Sequence, residues 1–128
     1  MQLGYVIYYV KDVSETINFY EAAFSLKKKF LHESNEYGEL DTGSTTLSFA
    51  SLNMAKSNKI GFTDRALDFK SSDMEIGLVT KDVSAAHAHA IKAGAIEVNS
   101  PVTKPWGQTV SYVRDINGFL IEICSPIG

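Results

Sequence analysis

Lys11-Asp12-Val13-Ser14 recurs, seventy residues further on, as Lys81-Asp82-Val83-Ser84. Each copy follows a short apolar run, Tyr5–Val10 in the first case and Ile76–Val79 in the second. Each also opens a segment with helical spacing of its apolar residues. A four-residue match alone means little, but a match with the same flanks on both sides indicates a duplicated strand–helix unit. In the first copy Asp12 is placed to cap a helix, with Glu15 three residues on in the capping-box position. Val13, Ile17, Tyr20, Ala23 and Phe24 then fall on one face, which predicts an amphipathic helix over 13–24. In the second copy Asp82 caps a predicted helix over 82–93, with Val83, Ala86, His87 and Ala90 on one face and Gly94 ending it.

Working outward, Gly4–Val10 reads as a buried strand, rich in Tyr, Val and Ile. Leu26–Glu33 is a further expected strand. Tyr37–Asp41 and Thr45–Ser51 form an expected hairpin about Thr42-Gly43-Ser44. In the second half Met74–Thr80 and Ile96–Asn99 are expected strands. Gln108–Arg114 and Phe119–Cys124 should pair across Asp115-Ile116-Asn117-Gly118, whose Asn-Gly is a hairpin signal. The expected fold is α+β, two tandem βαβββ modules forming a cupped mixed sheet. The boundaries are one domain over 1–128, with module one at 1–51, a connecting loop at 52–73 and module two at 74–128. The loop reading rests on missing periodicity, with one short helical turn expected near Ala66. A loop of this length is often a lid or a binding loop.

Composition excludes several classes. With 128 residues, 45% hydrophobic and 21% charged, the chain can bury one core. A net charge of −3 and a single dense basic run, Lys27–Lys29, give no nucleic-acid footprint. No apolar run approaches the roughly 20 residues of a membrane span, and the N-terminus lacks a signal-peptide pattern. The expected location is therefore cytoplasmic. One cysteine, Cys124, allows no intrachain disulfide and reads as a buried thiol. His87 and His89 lie two apart on a helix and cannot share a metal; His87 occupies the position of Ile17 and reads as packing.

The strands carry the chemistry. By the period of two, Ile121 and Ile123 face one way, and Leu120, Glu122 and Cys124 the other. Glu122 is thus a carboxylate with apolar neighbours, in a polar pocket or on a wet face. Glu75 alternates in the same way with Ile76 and Leu78. The repeat places Glu75 at the position of Tyr5, and Glu122 at that of Ser48. Tyr5 and Tyr9 share one parity on the first strand. Tyr112 and the loop residue Trp106 are further aromatic candidates.

Three stretches carry a family resemblance. They are Val10-Lys11-Asp12-Val13-Ser14 running on to Asn18-Phe19-Tyr20, then Trp106-Gly107-Gln108, and then Tyr112 to Ile123 through Asp115-Ile116-Asn117-Gly118. Together they resemble the vicinal oxygen chelate superfamily of glyoxalases, extradiol dioxygenases and bleomycin-resistance proteins. The resemblance implies a cup between modules. In the metal enzymes of the family, it also implies ligands at the positions of Tyr5, Ser48, Glu75 and Glu122. Only Glu122 matches the glyoxalase pattern. Tyr and Ser are poor ligands for a neutral-pH divalent site, so no metal and no cofactor are expected. The expected function is metal-independent binding of a small aromatic or cationic molecule, bleomycin-resistance-like, by a homodimer, with Tyr5, Tyr9, Ser48, Glu75, Trp106, Tyr112 and Glu122 as ligand contacts. Two alternatives stay open: a glyoxalase-like lyase or dioxygenase, and a metal-free enzyme with Glu122 as general base.

Overall fold

The structure, a computed structural model, describes residues 1–61 and 73–127. The helical turn expected near Ala66 lies outside the described residues. The chain divides into two compact units, Met1–Asp64 and Arg65–Gly128.

In the first unit the element order is β1 (Tyr5–Val10), α1 (Val13–Phe24), β2 (Lys27–Leu31), β3 (Tyr37–Asp41), β4 (Thr46–Ser51) and α2 (Leu52–Ser57). The sheet order is β1-β4-β3-β2, with β1 parallel to β4 and the other pairs antiparallel. The Asp12 side chain accepts from the Glu15 backbone N–H at 2.9 Å and starts α1. One face of α1 (Val13, Ile17, Tyr20, Ala23) is buried, and Tyr20 stacks on Phe49 of β4 with centroids 4.9 Å apart. Gly38 makes room for this helix, since a Cβ there would collide with the end of the Ile17 side chain. Gly43 supplies the left-handed turn (φ +91°) of the β3–β4 hairpin.

In the second unit the order is β5 (Ile76–Val79), α3 (Val83–Lys92), β6 (Ile96–Thr103), β7 (Thr109–Arg114) and β8 (Leu120–Cys124). The sheet order is β5-β8-β7-β6, again with the first and last strands of the unit parallel. The Asp82 side chain accepts from the Ala85 N–H at 3.0 Å. Ala93 is the C-cap of α3, and Gly94 (φ +113°) takes the left-handed position after it. Asp115 is fully buried in the β7–β8 turn, where its Oδ1 accepts from the N–H groups of Asn117 and Phe119. The α+β class and the tandem βαβββ order are those expected.

Two readings need correction. Residues 52–57, expected as loop, form α2, because the Ser51 hydroxyl caps the turn by accepting from Met54 N–H at 3.1 Å and Ala55 is buried. The strand expected to stop at Asn99 runs on through Pro101 to Thr103. It is the edge strand, so proline costs no ladder bond there, and its register shifts on either side of Asn99 accommodate the ring.

The two caps are equivalent in geometry. Asp12→Ala and Asp82→Ala should each cost about 1 kcal/mol. Urea unfolding checks this as a lower midpoint at unchanged slope.

Candidate functional site

Each sheet has one face covered by its own helix and one face turned from it. In the second unit α3 packs on β6, β7 and β8. Ile121 and Ile123 are buried on that side, as are Ser111 and Val113. The pleat then puts Leu120, Glu122 and Cys124 of β8, and Val110, Tyr112 and Arg114 of β7, on the other face. Register brings Tyr112 opposite Glu122 and Gly77 opposite Glu122 from the other side.

The phenol of Tyr112 donates to Glu122 Oε1 at 2.7 Å. That bond, with burial second, pushes the Tyr112 hydroxyl up to about 12. Glu75, just before β5, has its carboxyl raised above the ordinary carboxylate range. Desolvation is the main cause, followed by the charge of Glu122 and a hydrogen bond with it. Cys124 is buried beside them, and its thiol is pushed up to about 11 by desolvation and then by Glu122, which leaves it a poor nucleophile at neutral pH. Glu75, Tyr112 and Glu122 are therefore one cluster. Trp106 stands in the β6–β7 turn with its ring exposed and its indole N–H donating to Gln108 at 3.0 Å; it is not part of this cluster.

In the first unit the corresponding face carries Tyr5, Ile7 and Tyr9 of β1 beside Thr46, Ser48 and Ala50 of β4. Ser48 is fully buried, and its hydroxyl meets no partner at hydrogen-bond geometry, though it lies near enough to the Tyr37 phenol to oppose part of that group's rise. Two residues on this face went unnoticed in the sequence. Tyr37 donates to Glu39 Oε2 at 2.7 Å, and Lys29 Nζ lies 3.8 Å from Glu39 Oε1. Alternation of Glu39 with Gly38 and Leu40 was the available signal. The carboxylate of this unit thus sits on β3 and is matched by a cation, whereas Glu122 sits on β8 with a neutral phenol.

His87 is a structural group. It is buried under the second sheet, with Nδ1 2.9 Å from Ser111 Oγ and Nε2 2.7 Å from Glu97 Oε2. His32 lies in a surface turn with Ser34.

The donor set does not suit a transition metal. Tyr5 and Ser48 are a phenol and a closed-in alcohol, and Glu75 and Glu122 are two carboxyls of which one holds its proton unusually well. Among the described residues no three His, Cys, Asp or Glu side chains are disposed to hold an ion.

The sequence profile described as "Glyoxalase-like domain" matches residues 3–128. Among solved structures the chain is similar to a glyoxalase-related enzyme from Fulvimarina pelagi, with a TM-score of 0.83 and 18% identity over 98% of this chain and 88% of that one. It is similar to a glyoxalase/bleomycin resistance protein/dioxygenase family enzyme from Burkholderia phytofirmans PsJN, with a TM-score of 0.81 and 18% identity over 98% of both chains. It is also similar to TioX from Micromonospora sp. ML1, at 0.73 and 19% over 98% of both. At these identities the likeness is one of fold. No curated protein matches the chain.

The Tyr112–Glu122 bond sets a measurable titration. Phenolate absorbance should show Tyr112 ionising near 12 in the native protein. A raised acid stabilises the fold below its unfolded value and loses that stabilisation as pH rises through the folded one. In Glu122→Gln the Tyr112 transition should move back toward the ordinary tyrosine value, because the hydrogen bond to the carboxylate is the largest cause of the shift.

Proposed function

The chain belongs to the family of glyoxalase-like domains, and on that footing we propose that it binds a small, flat, cationic organic molecule without a metal, with Glu122 as the principal contact. The observation behind this is the company Glu122 keeps. It accepts from a neutral phenol at 2.7 Å, and its near neighbour Glu75 is raised by desolvation first and then by the charge of Glu122. Two carboxyls close together on a partly desolvated face repel, and a cation between them relieves that cost. Tyr112 fixes the Glu122 carboxylate and offers a ring beside it, and rings attract cations.

Desolvation and the charge of Glu122 raise the Glu75 carboxyl above the ordinary carboxylate range, so the cluster gains negative charge as pH rises through the raised Glu75 value. Affinity for a cation should rise over the same range.

Benzylammonium serves as the probe. Glu122→Gln should weaken it by about 1.5–3 kcal/mol, the range for a hydrogen bond to a charged group, and leave the empty protein as stable or slightly more so. Glu75→Gln should flatten the pH dependence of binding. Calorimetric titration and thermal melts at several pH values check both. Strong destabilisation of the unliganded protein by Glu122→Gln would show instead a carboxylate that serves the fold.

Metal independence is checked separately. Elemental analysis of untagged, dialysed protein should give well under one Zn, Ni, Fe or Mn per chain, and a stoichiometric metal would reject the reading. A homodimer is part of the same proposal, because β1 and β5 are edge strands with Tyr5, Ile7 and Val79 exposed in the lone chain. Light scattering should show twice the 14.1 kDa chain mass.

A further inference from the structure

Gly77 and Ile7 hold the same place in the two sheets. Ile7 stands opposite Ser48 across β1 and β4, and Gly77 stands opposite Glu122 across β5 and β8. The consequence at the two sites differs. In the first unit a branched side chain lies beside Ser48, which has no exposed surface. In the second unit only a hydrogen atom lies beside Glu122, which is half-buried.

The backbone does not demand this glycine, because Gly77 is not in the left-handed region. Within a strand glycine weakens the element, and it often marks a place where a ligand or another backbone approaches closely. Among the described residues, a Cβ built at Gly77 would meet a single heavy atom within 4 Å, Glu122 Oε2, at 3.7 Å. Tyr112 donates to the other oxygen, Oε1. The gap therefore leads to Oε2, the carboxylate oxygen that does not accept from Tyr112.

We propose that Gly77 determines specificity, by leaving the approach through which an unhindered N–H donor of a cationic ligand reaches Glu122 Oε2. The class selected is a primary ammonium or an amidinium. A quaternary ammonium has no N–H to donate to Oε2. This rests on the reading of Glu122 as the ligand contact.

Two measurements test it on the full chain, in wild type, Gly77→Ala, Gly77→Val and Glu122→Gln. The first uses no natural ligand. Coupling of glycinamide by a soluble carbodiimide, mapped by peptide mass, reads access to each carboxyl. Glu122 should label in wild type, and its rate should fall about tenfold in Gly77→Val, an overpacking penalty expressed as a rate. Labelling of Glu75, which is exposed, should stay the same. The second is titration with benzylammonium and benzyltrimethylammonium. Wild type should prefer benzylammonium, and Gly77→Val should weaken it about tenfold and remove the preference. Gly77→Ala adds one carbon at ordinary contact distance, so it keeps the fold and carries the test if the valine variant does not.

Equal labelling of Glu122 in wild type and the Gly77 variants, or no labelling in wild type, overturns the proposal. Equal affinity for the two probes in wild type overturns it as well. The binding reading fails in a different way. There, labelling at Glu122 still follows Gly77, but Glu122→Gln leaves benzylammonium affinity unchanged.

Discussion

The pleat of β8 is the constraint on which the second unit's open face depends. Ile121 and Ile123 are both buried on the α3 side, and burying each contributes about 1.5–3 kcal/mol. A slip of one residue would expose both isoleucines and drive the Glu122 carboxylate into the core, where an unpaired charge is not tolerated. Once that parity is set, pairing does the rest. The parallel neighbour supplies Gly77, and the antiparallel neighbour supplies Tyr112. The apolar burial beneath the sheet thus fixes the polar arrangement above it.

The same frame has taken different chemistry in the two units. The repeat pairs Ile17 with His87, Ile7 with Gly77, and Ser48 with Glu122. In the first unit the acid lies one strand over, at Glu39, and shares its charge with Lys29. In the second the acid stays on the last strand, with a phenol and another carboxyl for neighbours.

Much of this was legible in the sequence because it is written in local signals. Asp12 and Asp82 mark helix starts, residue spacing gives the buried face of α1, and the alternation of Phe119–Cys124 gives the direction of Glu122. What was not legible depends on neighbours distant in the chain. Ser51 was read as the end of a strand and proved to be a helix cap as well. Pro101 suggested a strand end, and only its place at a sheet edge shows why the strand continues. That the Glu75 carboxyl is raised depends first on local desolvation, which strand parity does not encode. Tyr37 and Glu39 lie in a hairpin strand, whose alternation alone does not show that the phenol donates to the carboxylate.

The buried faces of the two helices differ in kind. Between α1 and its sheet lie the rings of Phe19 and Tyr20 from the helix and Phe49 from β4, packed edge to face or tilted. Beneath α3 the matching centre is an imidazole held between a hydroxyl and a carboxylate. Apolar burial carries a large heat capacity and loses strength on cooling, whereas exposure of polar groups contributes heat capacity of the opposite sign. At the matched positions Ile17 and His87, the first core therefore buries apolar surface where the second buries a hydrogen-bonded polar group, and the apolar contact loses more of its grip toward freezing.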